Sequence, residues 1–159
     1  MNLKTALLLI AIGNPSRGDD ALGPALLALL AAQPLDPARV ECLTDFQLQI
    51  EHALDLAGRQ AVLFVDAARP GVLGGDGVAL LPVAVATAQP ALSHALTPAA
   101  VLQVVQRLGQ TPPPSWALAI EGESFALGEG LSAAAAARLP RALALALNWI
   151  EGFSPRAAA

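Results

Sequence analysis

Two adjacent aspartates, Asp19 and Asp20, close the turn Gly13-Asn14-Pro15-Ser16-Arg17-Gly18-Asp19-Asp20. An apolar run, Ala6 to Ile12, leads into it, and a helical pattern, Ala21 to Ala32, leads out. The strand-to-helix turn of an α/β protein is where ligands commonly sit. A phosphate site there wants glycines and a lysine, and carboxylates repel the anion. Two carboxylates point instead to a cation or to proton chemistry. Further groups occupy the same kind of position. Asp66 directly follows the apolar run Ala61–Val65, His94 shortly precedes Thr97-Pro98, and Glu121 and Glu123 follow Trp116–Ile120. Two carboxylates and an imidazole make a mixed oxygen and nitrogen metal site with open positions. Each residue also has a plainer reading. Asp19 or Asp20 serves as a helix cap, His94 as a structural histidine, and Glu121 and Glu123 as solvated turn residues. His52, beside Glu51, reads as a surface residue.

Several chemistries are excluded. No His-Glu-x-x-His pattern occurs, and two histidines cannot build a three-histidine zinc site. There is no Gly-x-Ser-x-Gly nucleophile turn. The first turn lacks the Gly-x-Gly-x-x-Gly spacing of a dinucleotide site.

The elements that must position these groups follow from periodicity. Ala6–Ile12 suits a strand buried on both faces. The next helix carries Pro24 in its first turn and ends at Gln33-Pro34-Leu35-Asp36-Pro37. Arg39–Leu43 reads as a second strand. Asp45 to Ala57 reads as a helix, with Phe46, Ile50, Leu54 and Ala57 as its apolar stripe and Gly58 as its stop. Ala61–Val65 is a third strand. Val78–Val83 is a fourth, which Pro82 places near an edge. Thr97 and Pro98 start a helix to about Leu108. Trp116–Ile120 is a fifth strand, and Ser132 caps a last helix to about Ile150, with a kink or break expected at Pro140. Strands alternating with helices predict an α/β fold of three layers: a mostly parallel five-stranded sheet flanked by helices on both faces. The C-terminal ends of its strands form one rim, where Asp19, Asp20, Asp66, Glu121 and Glu123 meet.

With 159 residues the chain is long enough for one domain with a sizeable core, expected over 1–152, with 153–159 as a frayed tail. Hydrophobic residues make up 55% and charged residues 14%, which excludes disorder. A net charge of −4 gives no footprint for nucleic acid or for anionic membranes. Lys4 followed by Ala6–Ile12 is faintly like a signal peptide, but reads better as the first buried strand. No apolar run reaches the 18 or so residues of a membrane span. The single cysteine, Cys42, rules out an internal disulfide framework and fits a reducing compartment, so the cytoplasm is expected. Its apolar run, Val40 to Leu43, predicts a buried structural thiol rather than a nucleophile.

The combination resembles the hydrogenase maturation proteases, the endopeptidases that process [NiFe]-hydrogenase large subunits. Three blocks carry the resemblance over most of the chain: Gly13-Asn14…Asp19-Asp20-Ala21-Leu22-Gly23, the apolar strand ending in Asp66, and Ser93-His94-Ala95-Leu96-Thr97-Pro98. The resemblance implies a twisted five-stranded sheet between helices. It implies metal ligands at Asp20, Asp66 and His94, with Asp19 as a neighbour. It also implies removal of a C-terminal extension from a large-subunit precursor already loaded with nickel. The chain departs from the family where many members carry Asp-Gly-Gly-Thr. Here Thr44-Asp45-Phe46-Gln47-Leu48-Gln49-Ile50-Glu51 keeps the aspartate alone, and Ala21 replaces a frequent glycine. The Gln-Leu-x-x-Glu pattern is similar to that of the subgroup serving cytoplasmic NAD-reducing, bidirectional hydrogenases.

The expected activity is therefore peptide hydrolysis at a site built from Asp20, Asp66 and His94. A metal there polarises the scissile carbonyl or acidifies a bound water. Alternatively the three residues dock onto the substrate's own nickel, a version the resemblance favours. No separate general base stands out, and Asp19 and Asp45 are the candidates for that supporting role. The chain is expected to act as a monomer on the precursor. Two rival readings remain: a non-catalytic chaperone of α/β fold that binds a metal or a precursor tail, and a nucleotide-binding domain, which the acidic turn disfavours.

Overall fold

The computed structural model of the chain describes residues 4–88 and 96–153. Five strands form one sheet in the order β2-β1-β3-β5-β4. They are β1 (Leu7–Ile12), β2 (Val40–Asp45), β3 (Ala61–Ala68), β4 (Val78–Pro82) and β5 (Ser115–Glu121). All neighbours are parallel except β4, which runs antiparallel to β5 at the edge. Pro82 ends β4, as an edge position allows. The continuous apolar runs of β1 and β3 are central because both of their faces are buried.

Alternation along the strands divides the core in two. Leu7, Leu9, Ala11, Leu63 and Val65 face α1 (Leu22–Ala31) and α4 (Ala133–Gly152). Leu8, Ile10, Val62 and Phe64 face α2 (His52–Leu56) and α3 (Pro98–Arg107). The three-layer α/β architecture expected from the sequence is the one observed. Thr97 Oγ1 accepts from the Ala100 N–H at 3.1 Å and Ser132 Oγ from the Ala135 N–H at 3.2 Å, so α3 and α4 carry the expected caps. The helix after β1 lies on one face and α3, which follows β3, on the other. The crevice between the carboxyl ends of β1 and β3 is therefore the switch point of the sheet, the place where α/β folds bind ligands.

Three expectations need correction. The segment from Asp45 is not a helix to Ala57. Asp45 pairs with Ile12 as the last residue of β2, and only His52–Leu56 is helical. The stripe that predicted the helix, Phe46, Ile50 and Leu54, is exposed, whereas Leu48, Ala53 and Leu56 make the core contacts. Cys42 is exposed rather than buried, because β2 is an edge strand. The protein around its thiol, and then the Glu41 carboxylate, push its pKa up, which disfavours the nucleophilic thiolate. Pro140 does not break α4, which runs unbroken from Ala133 to Gly152. Leu139 and Ala142, buried against the sheet on either side of it, hold the helix where its hydrogen bond is missing.

Two glycines set the distance between α1 and the sheet. A Cβ on Gly13 would collide with the Asp20 carbonyl, and Gly13 has φ +150°. A Cβ on Gly23 would lie 3.0 Å from the Val65 carbonyl oxygen and 3.1 Å from that of Ile12. The start of α1 thus presses onto the carboxyl ends of both central strands. Gly13→Ala is expected to cost about 1–3 kcal/mol through backbone strain alone. Urea denaturation reads this as a lower midpoint with an unchanged slope.

Candidate functional site at the carboxyl ends of the central strands

The turn after β1 splits its two aspartates. Residues Gly18–Ala21 form a single 3-10 turn ahead of α1. This geometry sends successive side chains in different directions, and neither aspartate caps α1, whose N-cap is Ala21 with no side-chain bond. Asp20 instead turns back on its own loop, where Oδ2 accepts from the Asn14 N–H at 2.6 Å. That bond orients the carboxylate across the strand end.

Asp19 points inward and is fully buried. Its Oδ2 accepts from the Glu123 N–H at 2.6 Å, the Ser124 N–H at 3.2 Å and the Ser132 hydroxyl at 2.7 Å. Its Oδ1 accepts from the Ser132 N–H at 2.7 Å. Burial alone would raise its pKa, but these donors outweigh it and hold the carboxyl below its ordinary value. Asp19 binds the turn after β1 to the loop after β5 and to the first turn of α4. Every favourable direction around it is taken.

Asp20 and Asp66 line one open depression of about 530 Å³ with Ala67, Arg69, Pro70 and Phe125. It lies at the β1–β3 switch point. Asp66 Oδ1 accepts from the Ala67 N–H at 2.8 Å. Asp66 is exposed to the depression, yet the protein packed around it pushes its carboxyl up to about 6, against that hydrogen bond, and the Asp20 charge adds to the rise. The Asp20 carboxylate thus opposes the charge of Asp66. A cation placed between them relieves that repulsion, and oxygen donors of this kind suit a divalent metal. His94 lies outside the described residues. Among the described residues no group of three or more His, Cys, Asp and Glu side chains is gathered closely enough to hold a metal ion.

The other acidic residues of the rim are structural. Glu121 is buried, and its Oε1 accepts from the Leu73 N–H at 2.6 Å. Glu123 pairs with Arg138 at 2.9 Å, and the same guanidinium donates to the Glu121 carbonyl at 2.7 Å. Glu121 is therefore not the solvated turn residue that the sequence suggested, whereas Glu123 is exposed in the bend after β5, as expected.

Asp45 ends β2 and lines a separate depression of about 170 Å³ with Gly13, Pro15, Pro24, Thr44 and Phe46. Its carbonyl accepts from the Gly13 N–H at 3.0 Å, tying it to the acidic turn. Its carboxylate meets a residue that sequence reasoning assigned to the surface. His52 is buried, with Nε2 3.1 Å from Asp45 Oδ2 and Nδ1 accepting from the Gln49 N–H at 2.8 Å. The signal for His52 was a second stripe, Leu48, His52, Ala53 and Leu56, which competes with the Phe46 stripe at the same period.

Asp19 and Asp66 affect stability with opposite sign. A carboxyl lowered by folding stabilises the protein above its ordinary pKa, and that contribution disappears as pH falls through the lowered value. A carboxyl raised by folding costs nothing below 3.8, and stability is lost as pH rises from there through about 6. Asp19→Ala is therefore expected to lower stability by about 2 kcal/mol or more, since it leaves buried N–H groups unpaired. Asp66→Asn is expected to raise the stability of the isolated protein at neutral pH and to leave it nearly unchanged below pH 3.8. Urea denaturation across that pH range measures both.

No family model and no curated protein matches the chain by sequence. Solved structures match it throughout. The hydrogenase maturating endopeptidase HybD from E. coli superposes with a TM-score of 0.76 at 23% identity, covering 93% of each chain. The hydrogenase 2 maturation peptidase from Thaumarchaeota archaeon SCGC_AB-539-E09 gives 0.67 at 20% identity, over 92% of this chain and 99% of that one. The [NiFe] hydrogenase maturation protease HycI from Thermococcus kodakarensis gives 0.64 at 24% identity, over 93% and 92%. The fold of this chain is the one seen in hydrogenase maturation endopeptidases.

Proposed function

We propose that the chain is an endopeptidase that removes the C-terminal extension of a [NiFe]-hydrogenase large-subunit precursor after nickel insertion. The observation that carries this reading is the pair Asp20 and Asp66, which faces one open depression at the sheet's switch point, with the Asp20 charge opposing that of Asp66. The depression is open to solvent, and its carboxylates suit a cation brought in by the substrate. The fold shared with hydrogenase maturation endopeptidases over nearly the whole chain supports the same activity. In this reading Asp20, Asp66 and His94 hold the precursor's own nickel, and that contact places the scissile bond. Cleavage is then licensed only by a loaded substrate. The Gln47-Leu48 and Glu51 pattern supports a cytoplasmic NAD-reducing hydrogenase as the substrate in this reading. In this reading the protein works as a monomer in the cytoplasm.

Incubation of the purified protein with nickel-loaded and nickel-free precursor, followed by mass analysis, tests the proposal. A C-terminal peptide should leave the loaded precursor only. Binding without any loss of mass would instead identify a chaperone and overturn the proposal. Asp20→Ala, Asp66→Ala and His94→Ala should each slow processing by about 100-fold or more while the fold is retained. Processing at the normal rate by His94→Ala would remove that residue from the site.

A further inference from the structure

We infer that His52 is a positioning residue, holding Asp45 as the group that takes the proton from the attacking water. This inference rests on the endopeptidase reading and supplies the base that Asp20 and Asp66 lack. The acidic groups of the rim can be sorted by what already occupies them. Asp19 is buried and accepts four hydrogen bonds. Glu121 is buried on the Leu73 N–H, and Glu123 is paired with Arg138. Asp20 and Asp66 share the cation depression. Asp45 remains, with its side chain 47% exposed.

The sheet puts Asp45 level with Asp66. Ile12 pairs with Asp45, and Ala11 with Val65, so the next residues, Ile12 and Asp66, also stand side by side. Strands about 4.8 Å apart place Asp45 and Asp66 roughly 10 Å apart across the end of β1. Alternation puts both on the α2–α3 face, with Leu43, Ile12 and Phe64 packed beneath them in that core. The end of β1 lies between the two carboxylates, so a peptide group laid over it has one on either side.

His52 fixes the orientation of Asp45. Because Nδ1 accepts the Gln49 N–H, the ring proton is on Nε2, directed at Asp45 Oδ2. The Phe46 N–H donates to Oδ1 at 2.7 Å. Both oxygens are steered, yet nearly half of the side chain faces solvent. In the step proposed, a water O–H bond breaks and its proton passes to Asp45. The water oxygen bonds to the scissile carbonyl carbon, and the carbonyl π pair moves to oxygen. The C–N bond then breaks, its electron pair stays on nitrogen, and nitrogen takes the proton from Asp45. The sum is amide plus water giving acid plus amine.

Steady-state cleavage of nickel-loaded precursor, followed by mass, tests the dyad. Asp45→Asn should lower kcat by about 10²–10⁴-fold with KM unchanged, the range for loss of a general base. His52→Leu should lower kcat roughly 10- to 100-fold, as loss of a second partner does at comparable sites. His52→Gln, whose amide N–H can still donate to Asp45, should recover most of that loss. The double variant should be no slower than Asp45→Asn alone. Wild-type kcat from folded His52→Leu would overturn the inference, as would equal losses in His52→Leu and His52→Gln. A wild-type protein that cuts neither precursor would overturn the endopeptidase reading itself, a result separate from either of these. If His52→Leu does not fold, His52→Gln and Asp45→Asn still decide the matter.

Discussion

The site depends on a buried carboxylate whose oxygens are held by main-chain N–H groups and a serine hydroxyl. Asp19 gathers the Glu123, Ser124 and Ser132 N–H groups and the Ser132 hydroxyl around one charge. An ionised group without such donors would be costly in the interior. Here it joins the turn after β1 to two segments more than a hundred residues away, the loop after β5 and the start of α4. Ser132 in turn caps α4, so one carboxylate both closes the rim and aligns the helix that covers half of the sheet.

That anchoring explains why the turn needs two aspartates. With residue 19 drawn inward and residue 20 held outward by the Asn14 N–H, the 3-10 turn becomes a fixed bracket. Glycine at 13 lets the turn fold over the Asp20 carbonyl, and glycine at 23 lets α1 approach the strand ends closely. The carboxylate of Asp20 is thereby set beside Asp66 across the switch point. Preorganisation of this kind comes from backbone geometry rather than from side-chain packing, and a loop alone would not hold it.

The sheet was legible in the sequence because its signals are local. The unbroken apolar runs of β1 and β3, the Thr97-Pro98 start of α3, the Ser132 cap of α4 and the edge proline of β4 each act over a few residues. The convergence of Asp20 and Asp66 could be read from the strand ends once alternation implied a parallel sheet. What could not be read was decided by tertiary competition. Segment 45–57 carries two apolar stripes at the same period, and only packing against Leu8, Ile10 and Phe64 selects Leu48, Ala53 and Leu56 over Phe46, Ile50 and Leu54. The choice lengthens β2 through Asp45, buries His52 and leaves Cys42 on an edge. The partners of Asp19 lie more than a hundred residues away in sequence, so no spacing rule could have found them.

The two carboxylates that matter most stand on opposite sides of the stability balance. Folding strengthens the ionised form of Asp19 and weakens that of Asp66. A fold shaped by stability alone would neutralise the second or pair it, as Glu123 is paired with Arg138 on the same rim. Asp66 instead sits near the end of a central strand, where its main-chain neighbours are fixed by the sheet, and its charge is opposed by both the protein packed around it and Asp20. Moving either group away would require a change in the β1–β3 register or in the 3-10 turn, and both are locked by the core and by Asp19. The strain between the carboxylates is thus a consequence of the architecture that holds them. A cation or a proton bound between them releases it.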